Sequence, residues 1–99
     1  MSFALFDLKE WKEKHGDSLE LARFAKITEE LGELAQEINK EGSNKIEECL
    51  DVIQTAISYL QAIATEEEIY HAQNKYEQKL RDYEKIGRVP RIKRLVEIR

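Results

Sequence analysis

The sequence predicts an all-α protein, built of antiparallel helical hairpins that assemble into a four-helix-bundle-like oligomer. Three observations carry that prediction. Apolar residues recur at helical spacing in three long runs. A single Pro and four Gly among 99 residues leave few interruptions, which fits one domain over residues 1–99 without a linker. The third segment is apolar over a wider arc than one neighbouring helix can cover, so a second chain is expected against it.

Each element has its own signals. A short first helix is expected over about residues 5–15, ending at Gly16, where a C-cap glycine fits. A second should start near Asp17 or Ser18, with Asp17 and Glu20 as a capping-box-like pair, and its stripe runs through Leu21, Phe24, Ile27, Leu31, Leu34, Ala35 and Ile38. "EGSN", residues 41–44, breaks it, and Ser43 or Asn44 can cap a third helix. There Ile46, Leu50, Ile53, Ile57 and Leu60 form one stripe, while Val52, Ala56, Tyr59 and Ile63 form another beside it. "TEEE", residues 65–68, is a full capping box for a fourth helix, with Ile69, Ala72, Tyr76, Leu80 and Tyr83 on one face. Residues 88–99 form a basic C-terminal tail.

Composition excludes several classes. No run approaches the roughly 20 apolar residues of a membrane helix, and "MSFALFDLKEW" lacks a basic region followed by a long apolar one, so neither membrane nor secretion is expected. Cys49 has no partner in the chain, which excludes a disulfide framework, makes a cytoplasmic setting the simplest one, and suggests a small buried hydrophobe. The net charge of -4 conceals an asymmetry: four basic against thirteen acidic residues over 17–68, and nine against four over 69–99. The acidic middle argues against direct nucleic-acid binding, whereas the tail suits an anion or an acidic neighbour.

The acidic middle is also patterned. Glu30 and Glu33 share one helix face and Glu48 and Asp51 another. In an antiparallel hairpin, facing residues have a constant summed number, and Glu33 with Glu48 and Glu30 with Asp51 both give 81. The implied hairpin centre lies beside Gly42, so four carboxylates should converge from two helices at the margin of the core, on strips that also carry Lys26, Glu37 and Thr55. Such crowding is relieved by protonation, basic neighbours or a cation. An all-oxygen donor set selects hard ions, Mg2+ first and Mn2+ second, and a carboxylate-held Mg2+ suits phosphate chemistry. His15 and His71 fall outside both motifs, against a di-iron site. A solvated Glu-rich surface is the competing reading.

"KITEELGELAQEI" and "EECLDVIQTAISYL" resemble the paired E-x-x-E and E-x-x-D signatures of the MazG-type nucleotide pyrophosphohydrolases, among the all-α NTP pyrophosphatases. The resemblance covers about residues 19–60. It implies a dimer or tetramer that hydrolyses nucleoside triphosphates to a monophosphate and pyrophosphate. It makes Glu30, Glu33, Glu48 and Asp51 the metal ligands and catalytic residues, and Lys26 a phosphate contact. In such proteins a fourth helix brings Lys, Arg and Asn to the triphosphate. "NKYEQKLR" is similar, which points to Asn74, Lys75 and Arg81, although Asn74 and Arg81 share one strip and Lys75 lies on another. A nucleobase would stack on Trp11, Phe24, Tyr59 or Tyr76, with core packing the competing role for each. Trp11 stands first because a short N-terminal helix can close over the site. Two other functions fit the same residues: a non-catalytic interaction or regulatory oligomer, and a pyrophosphohydrolase acting on phosphoribosyl-ATP or a modified nucleotide.

Overall fold

A computed structural model describes residues 2–96, so residues 97–99 of the basic tail lie outside the described residues. Four helices and one 3-10 turn follow in order: α1 (Lys9–His15), the turn Gly16–Ser18, α2 (Leu19–Asn39), α3 (Lys45–Ile63) and α4 (Glu66–Lys85). The described residues contain no strand. No helix among them is long and apolar enough to cross a membrane.

The first helix begins four residues later than the sequence suggests, because its expected first turn is bound elsewhere. Gln54 on α3 accepts from the Ala4 N–H at 2.7 Å and donates to the Ala4 carbonyl at 2.8 Å. Gln61, two turns on, does the same to Phe6 at 3.0 and 2.8 Å. Two amide side chains thus satisfy the backbone groups of the strap before α1, and an α-turn there would have to break those bonds. Leu8, at the end of the strap, is buried, and with Leu19 and Ile57 it forms the small apolar core.

The hairpin of α2 and α3 is the framework. Its loop is closed by a Schellman motif: the Gly42 N–H donates to the Glu37 carbonyl at 2.9 Å and the Glu41 N–H to Ile38 at 3.2 Å, with Glu41 at φ 53°. At Gly42 a Cβ would overlap the Glu37 carboxylate, so a side chain there would push that carboxylate from its place. That carboxylate is buried, accepts from the Asn44 N–H at 3.2 Å and pairs with Lys40 at 3.1 Å. It thereby takes over the start of α3, where no side-chain cap from Asn44 is made. The Asp17–Glu20 capping pair does not form either; Ser18 Oγ donates instead to the His15 carbonyl at 2.6 Å.

The sides of the hairpin are inverted relative to the apolar stripe. On α2 the buried residues are Leu19, Glu30 and Glu37, while Leu21, Phe24, Leu31 and Ile38 are 72%, 57%, 54% and 52% exposed. On α3, Ile46 is 77% exposed, and Leu50 and Ile53 are also open. Cys49, expected inside, is exposed as well. The polar strip lies between the two helices, and among the described residues most of the α2 apolar stripe, with Ile46 of α3, is open, whereas Ile57 of the α3 stripe is buried. A globular monomer of 11.6 kDa exposes about 5,800 Å², against 7943 Å² for this chain.

The last helix stands apart. Its Thr65–Glu68 capping box forms as the sequence indicates, at 3.2 and 3.0 Å, and Gly87 at φ 76° closes the other end. Yet α4 packs on neither α2 nor α3 and has no buried residue. Its companion is the basic tail, held by the Ile92 N–H to Glu84 and by Arg88 stacked 4.4 Å above the Tyr83 ring.

Candidate metal centre

The hairpin register can be read from direct contacts. Arg23 on α2 meets Ser58 on α3, Nη2 to Oγ at 2.8 Å, and these two numbers also sum to 81, as for the facing carboxylates. One strip of α2 therefore carries Arg23, Lys26, Glu30, Glu33 and Glu37, and the opposite strip of α3 carries Ser58, Thr55, Asp51 and Glu48.

Glu30, Glu33 and Glu48 come together, with one carboxylate oxygen from each lying within 4.8 Å of the others. Glu30 is buried, Glu48 half-buried and Glu33 exposed. Asp51 does not join this trio; it is exposed on the next turn of α3, and its carbonyl accepts the Thr55 hydroxyl at 2.7 Å. Lys26 is placed as an internal counter-ion: Nζ lies 3.1 Å from Glu29 and 3.3 Å from Glu30, and these contacts hold its pKa above the ordinary lysine value. Lys26 is thus bound to one of the site's carboxylates, Glu30, and to its neighbour Glu29.

The electrostatics are those of an under-neutralised acidic cluster. The charge of Glu30, with desolvation and Glu48 behind it, raises the Glu33 carboxyl above its ordinary range. Burial first, then the charges of Asp51 and Glu30, raises Glu48. One oxygen of Glu48, Oε2, is shut off from solvent and has no hydrogen-bond partner. A buried carboxylate oxygen without a donor is costly unless a cation or proton meets it. The donor set is all oxygen, and the trio is open on the Glu33 side, so these residues fit a hard divalent ion that keeps some of its water.

The remaining sequence candidates fall elsewhere. Asn74 lines a cavity of 410 Å³ between α4 and the tail, with Tyr70, Gln73 and Leu80. Arg81 is paired to Glu77 on its own helix at 3.1 Å. Since α4 leaves the hairpin, Asn74, Lys75 and Arg81 are not brought to the carboxylates within one chain. Trp11 is half-buried under Arg23, whose guanidinium lies 4.1 Å from the ring, and it also meets Phe6 at 5.5 Å. Phe24 and Tyr59 pack edge to face at 6.2 Å, with the Tyr59 hydroxyl donating to Glu20 at 2.9 Å. Sequence reasoning missed Arg23 and Ser58, although the same sum of 81 pairs them.

Comparison with known protein families, characterised proteins and solved structures finds no match for this chain. The functional reading therefore rests on the site.

Proposed function

We propose that the protein is a Mg2+-dependent nucleoside triphosphate pyrophosphohydrolase of the MazG type, releasing a nucleoside monophosphate and pyrophosphate and working as a homo-oligomer. The observation that carries this reading is the convergence of Glu30, Glu33 and Glu48 in the hairpin register, with the buried Glu48 Oε2 left unpartnered. Glu30, Glu33 and Glu48 hold the ion, with Asp51 the next carboxylate along the strip. Bound there, Mg2+ neutralises phosphate charge and makes a water more acidic. The chain's own residues do the rest: Lys26 fixes the Glu30 carboxylate, and Glu33, the most open of the three, orients the attacking water. Cations from α4 of a second copy, Lys75 and Arg81 among them, offset charge on the leaving pyrophosphate.

The uncovered stripe of Leu21, Phe24, Leu31 and Ile38 supports the oligomer. Incubation with Mg2+ and each common NTP and dNTP, with pyrophosphate and orthophosphate measured separately, tests the activity. Pyrophosphate with the monophosphate, abolished by Glu33→Gln, is the expected result. No product with Mg2+ or Mn2+ across the panel refutes activity on common nucleotides. A special substrate, such as phosphoribosyl-ATP or a modified nucleotide, or a non-catalytic interaction role then takes its place.

A further inference from the structure

Arg23 is a cation that the fold positions without giving it a counter-ion. Its guanidinium is stacked on Trp11 at 4.1 Å, and Nε and Nη2 donate to the fully buried Ser58 Oγ at 3.2 and 2.8 Å. Nη1 has no acceptor among the described residues, and no carboxylate of those residues lies within 4.0 Å of the group. Lys26, the next cation on the same strip, is instead paired with two glutamates at 3.1 and 3.3 Å. A half-buried arginine whose Ser58 partner is neutral keeps its charge uncompensated, and burial does lower its pKa. A guanidinium held by stacking and by a buried hydroxyl loses little freedom when a ligand arrives, and its planar fork matches phosphate oxygens.

Its position gives that ligand a length. Arg23 lies seven residues before Glu30, two turns or about 10 Å along the same face of α2. Ser58 keeps the same spacing from Asp51 on α3. The margin of the hairpin thus has carboxylates at one end and, two turns away, a cation without a counter-ion among the described residues at the other. We infer that Arg23 recognises the phosphate of a polyphosphate chain that lies farthest from the acidic cluster, with the chain running along the strip from Glu30, Glu33 and Glu48 to the guanidinium. The metal half of this arrangement rests on the reading proposed above, whereas the Arg23 half rests on its own contacts. Trp11 acts through Arg23 as a positioning residue, because the guanidinium covers one face of its ring.

Titration calorimetry with inorganic tripolyphosphate, pyrophosphate and orthophosphate, each with and without Mg2+, tests the inference on the full chain. The wild-type protein should bind tripolyphosphate more tightly than pyrophosphate. Arg23→Gln should weaken tripolyphosphate by about tenfold or more, the loss of a charge-assisted hydrogen bond, and remove most of that preference. Arg23→Lys, which keeps charge but not the fork, should recover only part. A folded Arg23→Gln protein with wild-type tripolyphosphate affinity overturns the inference. If that variant does not fold, the Arg23 Nε resonance of the wild-type protein serves instead: its movement on adding tripolyphosphate supports the inference, and a fixed position at saturating ligand overturns it. The two readings separate cleanly. Binding through Arg23 with no pyrophosphate released from any common NTP or dNTP keeps this inference and removes the activity on common nucleotides. Hydrolysis with an unchanged KM in Arg23→Gln keeps the enzyme and removes the inference.

Discussion

Ser58→Ala should destabilise the hairpin by about 1–2 kcal/mol, from the loss of hydrogen bonds to a charged group less the better helix propensity of alanine. Ser58 is fully buried and sits where α3 meets α2: its Oγ accepts from Arg23 Nε and Nη2 at 3.2 and 2.8 Å and donates to the Thr55 carbonyl at 2.7 Å. Hydrogen bonds to charged groups are worth about 1.5–3 kcal/mol, while Ser to Ala inside a helix returns roughly 0.5 kcal/mol. Arg23 is only half-buried, so water replaces part of what it loses, which places the cost in the lower half of the remaining range. For a domain of this size that is a fall in Tm of roughly 4–8 °C per kcal/mol. Calorimetry at one fixed protein concentration reads it, because an oligomer's Tm depends on concentration. In an Arg23→Met background the serine has no guanidinium to satisfy, so the same Ser58→Ala change should be neutral or slightly stabilising. A cost equal in both backgrounds, or no cost in the wild type, refutes the assignment of Arg23–Ser58 as a contact that fixes the hairpin register.

Four further outcomes follow from the site and the caps. Mg2+ should raise the Tm of the wild-type protein, and Glu48→Gln should abolish the rise, since it removes the trio's half-buried carboxylate; a salt-sensitive rise that survives in the variant refutes the proposed metal centre. Without metal, the raised Glu33 and Glu48 carboxyls let the folded state hold protons that the unfolded chain has released, so their destabilising effect is absent at low pH and complete above the raised values. A Glu33→Gln, Glu48→Gln protein should accordingly melt higher than wild type at neutral pH and lose that advantage on acidification below about pH 4, and a difference constant across pH refutes this. Glu37 and Glu68 run the other way: the hydrogen bond from Lys40, and the Thr65 N–H with its hydroxyl, lower their values, giving stability present at neutral pH and lost as pH falls through the lowered range. Thr65→Ala should cost about 1 kcal/mol by removing the α4 cap, measured by denaturant titration, and an unchanged midpoint refutes it.

Much of the molecule is legible in its sequence, for reasons that differ from element to element. The capping box of α4 is local chemistry, four residues long, and forms as expected. The register needs only the break near Gly42 and the constant sum of facing numbers, which brings Glu33 to Glu48 with Glu30 one turn away, whereas the Asp51 that the same sum sets opposite Glu30 does not join the trio. Legibility fails where non-local groups decide. The strap before α1 looks helical until Gln54 and Gln61, some fifty residues away, take its backbone groups. Asn44 looks like a cap until the Glu37 carboxylate accepts its N–H and replaces it at that helix end. Hydrophobicity is a poor guide to which stripe faces the partner helix, because α2 and α3 meet through the Arg23–Ser58 and Glu30–Glu48 strip and leave most of the α2 apolar stripe open, although Ile57 on α3 is buried.

That inversion bears on assembly, and it can be put in numbers. The chain exposes 7943 Å², about 2,100 Å² more than a compact monomer of its mass. Part of the excess belongs to the outlying α4 and tail, and the rest includes Leu21, Phe24, Leu31 and Ile38, each more than half open. Covering even half of it on each of two chains buries about 2,000 Å² in total, the lower edge of obligate homodimer interfaces. Such a fold has too small a core of its own, Leu8, Leu19 and Ile57, to be stable alone, so association and folding should be one event. Tm should then rise with protein concentration, and Leu31→Glu, which sets a charge in the middle of the stripe and away from the carboxylates, should lower both the sedimentation coefficient and Tm. Leu31 lies beside Glu30 in sequence but points to the other side, 54% exposed where Glu30 is buried. A Leu31→Glu chain that stays folded as a monomer should therefore keep its Glu30, Glu33 and Glu48 metal response while losing whatever α4 of the second copy supplies. A wild-type protein that sediments as a monomer at micromolar concentration, with Tm independent of concentration, refutes the oligomer and leaves the apolar stripe as a surface for a different partner.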